Sequence, residues 1–87
     1  MKKVIIYTGF RCAHCDWAKA LLNQKKVDFT EYNIHENPER REEMLNKSNG
    51  AKTIPQIFIG DSHIGGNREL QSLEREGKLN TILGIST

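Results

Sequence analysis

Eighty-seven residues with a formal net charge of +2, acids and bases interspersed, leave room for a single domain and show no electrostatic footprint for nucleic acid. The apolar run behind Lys2 and Lys3 ends at Tyr7, too short for a secretory leader, and no stretch is long and apolar enough to span a membrane. With 37% hydrophobic and 28% charged residues, the composition suits a soluble globular protein whose one domain covers residues 1–87, expected to be a monomer.

The first element is Val4-Ile5-Ile6-Tyr7, a continuous β-branched and apolar run of the kind expected of a strand buried on both faces. After Gly9-Phe10-Arg11 come the only two cysteines, Cys12 and Cys15, followed by Ala18, Leu21 and Leu22 at helical spacing. A helix over residues 12–25 puts Cys12 at its N-terminus and Cys15 one turn inside. Residues at i and i+3 of a helix lie about 5–6 Å apart, within the roughly 4.4–6.8 Å Cα separation that a disulfide accepts. The pair can therefore close and reopen with little backbone movement. Cys12 falls outside the apolar stripe and is expected to be the exposed sulfur, with Cys15 sheltered.

Residues 27–33, with Val27, Phe29 and Tyr32 separated by polar residues, read as a second strand; the strand–helix–strand unit implies a right-handed crossover between parallel strands. Asn37-Pro38 starts a second helix, Asn at the cap and Pro at the first helical position. Its thin inward stripe is Arg41, Met44, Leu45 and Ser48, Gly50 fits its C-terminal cap, and the charged run from Glu36 to Glu43 reads as a solvated face. Gln56–Ile59 and Ser62–Ile64 flank the Gly60-Asp61 turn and form a hairpin. Asn67 is the expected cap of a third helix with Leu70 and Leu73 inward and Gly77 at its close; Leu79, Ile82 and Leu83 suit a last short turn on the core. The order is β-α-β-α-β-β-α, an α/β fold with a four-stranded mixed sheet flanked by three helices.

A C-x-x-C at the head of a β-α-β unit is a thioredoxin-like redox signal. Thiolate rather than thiol attacks disulfides, and the unpaired N–H groups of a helix start favour the anion on Cys12. Arg11 adjoins it and His14 lies between the cysteines; both are candidates for stabilising the thiolate, although a histidine near a helix start is also an ordinary surface residue. Lowering a thiol's pKa costs nucleophilicity, so the lasting benefit is a better leaving group at the next exchange. Cys12, Cys15, His35 and His63 match no zinc-finger spacing, and no metal is expected. Tyr7 and Trp17 are expected as wall or core residues. A redox pair without a targeting segment points to the cytoplasm, where a lasting structural disulfide is unusual.

Nearly the whole chain resembles the glutaredoxins. The likeness is carried by Tyr7-Thr8, the Cys12/Cys15 pair, Ala18 to Leu22, Arg41-Glu42-Glu43-Met44, Thr53-Ile54-Pro55-Gln56-Ile57-Phe58-Ile59 and His63-Ile64-Gly65-Gly66. The resemblance implies a thioredoxin fold with strand order 2-1-3-4 and a cis Ile54–Pro55 bond. It also implies glutathione as co-substrate, bound along Thr53, Ile54 and Pro55, with Gly65 and Gly66 allowing close approach and Asn67 and Arg68 at the following helix start. Lys19, Arg41 and Lys52 are candidate partners for the ligand's glycine carboxylate. The partners implied are disulfide-containing or glutathionylated proteins, reduced by Cys12 as nucleophile with Cys15 resolving. There are three departures from the family pattern: Ala13-His14 replaces Pro-Tyr, Gly9 replaces a lysine, and Arg68 stands where an aspartate is common. Arg68 resembles the arginine of redoxins that serve ribonucleotide reductase and are reduced by thioredoxin reductase, which is one alternative. A carrier in which two copies bridge a [2Fe–2S] cluster with glutathione is another.

Overall fold

Val4–Thr8 forms β1, and the other elements are placed against its two faces. The computed structural model describes residues 1–85. Alternation along β1 sends Ile6 and Val4 to one side of the sheet and Tyr7 to the other, all three buried. The second strand, β2 (Thr30–Asn33), runs parallel to β1, with Ile5 opposite Thr30 and Thr8 opposite Asn33. On the other edge of β1, β3 (Gln56–Ile59) is antiparallel, and β4 (Ser62–Gly65) pairs antiparallel with β3. The sheet order is therefore β2-β1-β3-β4, as the resemblance implies.

The first helix, α1 (Ala13–Gln24), buries Cys15, Ala18, Leu21 and Leu22, the stripe read from the sequence. It lies with α3 (Asn67–Arg75) and α4 (Leu79–Leu83) on one face of the sheet, where Leu22, Leu70, Leu79 and Leu83 close over Ile6, Ile57 and Ile59. Removing one such side chain from water contributes about 1.5–3 kcal/mol. The opposite face carries only α2 (Pro38–Lys47), whose Met44 packs on Tyr7, Ile34 and Phe58.

Four details differ from the sequence reading. The second strand begins at Thr30 rather than 27, because Lys26 turns left-handed (φ 59°) and the Val27 N–H closes back on Leu22 O at 3.0 Å. Val27 thus finishes the exit from α1 and fills the core from there. Arg41 is exposed, so the inward side of α2 is Met44 and Ser48 with Leu45 half-buried. Gly66, not Asn67, caps α3: the Glu69 carboxylate accepts the Gly66 N–H at 2.7 Å, and Asn67 becomes the first helical residue with its side chain buried. The last turn is regular enough to be a fourth helix, α4, beyond Gly77 in its left-handed conformation (φ 71°).

Candidate functional site

The turn out of β1 delivers Cys12 to the N-cap of α1 in extended backbone (φ −120°). Arg11, just before it, is left-handed at φ 53°, a conformation that side chains other than glycine adopt at a cost. Cys12 and Cys15 form a disulfide across a Cα separation of 5.2 Å. The Cys15 N–H donates to Cys12 Sγ at 3.1 Å, and the Asp16 N–H to Cys12 O at 3.1 Å. Cys15 is buried while Cys12 is partly exposed, in the order expected from the helical stripe. An N–H aimed at sulfur from a helix N-terminus favours the thiolate once the bond is reduced.

Opposite the sulfurs stands the loop before β3. Its Ile54–Pro55 bond is cis, and the Ile54 carbonyl oxygen lies 3.9 Å from Cys12 Sγ. Beside it opens a cavity of about 580 Å³ that brings together His14, Thr53, Ile54, Pro55, Gly65, Gly66, Asn67 and Arg68. Gly65 has φ 113°, a backbone conformation that side chains strain to adopt, and a Cβ there would sit 2.9 Å from Glu69 Oε1. The residues read from three separate stretches of sequence therefore line one concavity.

His14 is engaged by α3 and by its own helix. Its Nδ1 pairs with the Asn67 side-chain nitrogen at 3.2 Å, Gln71 donates to Asn67 Oδ1 at 3.1 Å, and the His14 ring meets Trp17 edge-on at 5.0 Å. Because Gln71 occupies the Asn67 oxygen, the Asn67 nitrogen donates and His14 Nδ1 accepts. Arg11 is exposed, without an ion pair among the described residues. Lys19, Arg41 and Lys52 do not line the cavity. Lys19 is held instead by Glu31 at 3.1 Å. Burial opposes ionisation of Glu31, but hydrogen bonds from Thr8 (2.6 Å) and Lys19 outweigh it and hold the carboxyl below its usual range. Trp17 is 55% exposed rather than part of the core, whereas Tyr7 is fully buried.

Sequence reasoning missed Gln56, His63 and Glu69, which also line the cavity. The Gln56 side-chain nitrogen donates to Thr53 O (2.9 Å) and Oγ1 (3.2 Å), so its oxygen accepts from His63 Nε2 at 2.6 Å, and His63 stacks on Phe58 at 4.8 Å. That chain props the Thr53 backbone from beneath. A glutamine at the head of an otherwise apolar strand was the available signal. Among the described residues no cluster of three or more His, Cys, Asp or Glu is arranged to hold a metal ion.

A thioredoxin fold whose first helix is headed by a closed Cys-x-x-Cys pair, facing a cis-proline loop, defines a dithiol redox protein that exchanges disulfides with other thiols. The glutaredoxin family model matches residues 4–64. A glutaredoxin of Pseudomonas aeruginosa is 47% identical over 83 residues, covering 95% of this chain and 98% of that one. The solution structure of glutaredoxin from Brucella melitensis superposes with a TM-score of 0.80 at 45% identity, over 100% of this chain and 96% of that one. A buckwheat glutaredoxin–glutathione complex shares the fold with a TM-score of 0.85 at 23% identity, over 98% of this chain and 83% of that one. The chain belongs to the glutaredoxin family and is a thiol–disulfide oxidoreductase.

Proposed function

We propose that the protein is a cytoplasmic, glutathione-dependent oxidoreductase that reduces glutathionylated proteins and protein disulfides. The observation that carries this reading is the cavity beside the reactive pair, with the Ile54 carbonyl 3.9 Å from Cys12 Sγ and Gly65, Gly66 and Asn67 among its lining residues. An extended thiol peptide lying along Thr53–Pro55 pairs its backbone with Ile54 and directs its carboxylate to the start of α3, where N–H groups and the helix dipole favour an anion. The fold shared with a buckwheat glutaredoxin solved with glutathione supports the same ligand.

In this reading Cys12 thiolate attacks the glutathione sulfur of a mixed disulfide. The protein thiolate leaves, and a Cys12–glutathione disulfide forms. A second glutathione thiolate attacks the bound glutathione sulfur, giving oxidised glutathione and restoring Cys12. For a protein disulfide, Cys12 forms the mixed disulfide with the substrate. Cys15 then attacks Cys12, closing the intramolecular bond and releasing the substrate thiol. Two glutathione molecules reopen that bond.

Reduction of the glutathione–β-mercaptoethanol mixed disulfide, coupled to glutathione reductase, tests the reading. Cys12→Ser removes all turnover; Cys15→Ser keeps this reaction and loses most reduction of a protein disulfide. Loss of both in folded Cys15→Ser overturns the division of labour.

Arg68 favours a second reading. It is exposed and lines the cavity; in this reading it sets a cation beside the ligand's ammonium. Such a pair costs about 1 kcal/mol in a water-screened site, or several-fold in affinity. Arg68→Asp therefore lowers KM for glutathione, most clearly at low salt. Faster turnover with thioredoxin reductase than with glutathione instead identifies a redoxin of the kind that serves ribonucleotide reductase.

A further inference from the structure

The segment that presents Cys12 is short and conformationally demanding. Gly9 to Cys12 must reverse from the end of β1 into α1, and Arg11 takes a left-handed backbone to do so. His35, 25 residues from Phe10, meets this turn: its Nδ1 accepts the Phe10 N–H at 2.9 Å. The two rings lie 5.6 Å apart at 43°. The imidazole also rests on Gly9 so closely that a Cβ at that position would lie 2.5 Å from its Cε1 and 2.6 Å from Ile54 Cδ1. The space where a Gly9 side chain would begin is thus filled by His35 together with the tip of Ile54, the residue whose carbonyl faces Cys12 Sγ.

The imidazole itself stands on a fixed base. The Ile34 N–H donates to Thr8 O at 2.8 Å, and the N–H groups of His35 and Glu36 both donate to Asn33 Oδ1, at 2.9 and 3.1 Å. The backbone carrying the ring is therefore tied to the ends of β1 and β2. An imidazole nitrogen that accepts an amide proton carries none itself, so in the neutral ring the proton is on Nε2.

We propose that His35 is a positioning residue for Cys12: by accepting the Phe10 N–H and packing on Gly9, it holds the turn that keeps Cys12 at the N-cap of α1 with the Cys15 N–H on its sulfur. The inference rests on the reading of Cys12 as the attacking sulfur. A ring that only filled space would affect folding but leave the chemistry of Cys12 alone. A ring that positions the turn sets how well the helix N-terminus stabilises the Cys12 anion.

The test is alkylation of the fully reduced protein by iodoacetamide between pH 5 and 9, with each cysteine's adduct measured by mass spectrometry. His35→Ala and Gly9→Ala, the second displacing the ring without removing it, slow Cys12 labelling at pH 6 by about three- to fivefold, the order of stabilisation a helix N-terminus gives an adjoining anion. His35→Asn, whose amide oxygen takes the place of Nδ1, restores at least half of the lost rate. A His35→Ala pH profile superposable on wild type overturns the proposal, as does a His35→Asn profile as poor as that of alanine. If the variants do not fold, nitrogen NMR of the wild type decides: the proposal requires the Nε2–H tautomer and a scalar coupling between the Phe10 amide nitrogen and Nδ1, and their absence overturns it. Preferential labelling of Cys15 in wild type refutes the nucleophile assignment instead, and with it the purpose of the brace.

Discussion

The two faces of the sheet are held by different physics. Under α1, α3 and α4 the buried residues are all aliphatic, from Val4 and Ile6 to Leu70 and Leu83, with Phe29 packed against them. Under α2 only Tyr7, Ile34, Met44 and Phe58 are fully enclosed, and charged side chains form the lid. Tyr7 Oη donates to Glu43, Arg40 reaches the same carboxylate at 2.8 Å and stacks 3.9 Å over Tyr32, and Lys47 lies 4.6 Å over Phe58. Burial, then the Glu43 carboxylate beside it, drives the Tyr7 hydroxyl pKa far up. The Tyr7 hydrogen bond in turn holds Glu43 below the usual carboxylate range, with Arg40 adding to it. A helix with a thin apolar stripe docks because its long charged residues cover aromatic surface with their stems and heads. The redox pair draws on both regions: α1 is rooted in the aliphatic face, while Ile54 packs against the α2 face.

Leu22→Ala is the strongest way to probe this contrast. It opens a cavity in the aliphatic face and costs about 3–4 kcal/mol by urea unfolding. Met44→Ala costs less, about 2 kcal/mol, because α2 can settle onto the smaller cluster. An equal or larger loss at Met44 would erase the distinction between the faces. Tyr7→Phe keeps the ring and removes the hydroxyl; with Glu43 partly exposed and still paired to Arg40, the loss is about 1 kcal/mol. The smallest effect is on the acid limb. Glu31 and Glu43 are both held below the ordinary carboxylate range in the fold, so their stabilisation is full above that range and disappears as pH falls through the lower folded values. The urea midpoint therefore falls between pH 6 and pH 3, and the fall is shallower in Tyr7→Phe, where Glu43 has lost its first partner.

Much of this architecture was legible because local signals agreed. The β-branched run of β1, the stripe Cys15–Ala18–Leu22 and the Gly60-Asp61 turn each have one physical reading, and together with the cysteine spacing they define the site's head. Trp17 was harder to place: two positions beyond Cys15, it falls off the stripe and stays exposed. Val27 looked like strand because nothing in the residue type of Lys26 marks a left-handed turn. Gly66 and Asn67 are both acceptable caps, and the choice depends on where the Glu69 carboxylate reaches. The Thr53–Gln56–His63 chain depends on the β3–β4 register, which shifts between Ile57 and Phe58 and leaves no trace in composition. His35 was invisible for the same reason: its partners lie across the fold, at Gly9 and Phe10.

The crowding at Gly9 makes positions 9, 35 and 54 epistatic. A Cβ at position 9 meets the His35 ring and the Ile54 tip, so any larger residue there requires those side chains to shift. A smaller residue at position 35 opens that space but surrenders the Phe10 acceptor. The same side chain at position 9 thus meets an occupied space on one background and an open one on another, and the order in which substitutions arrive decides which.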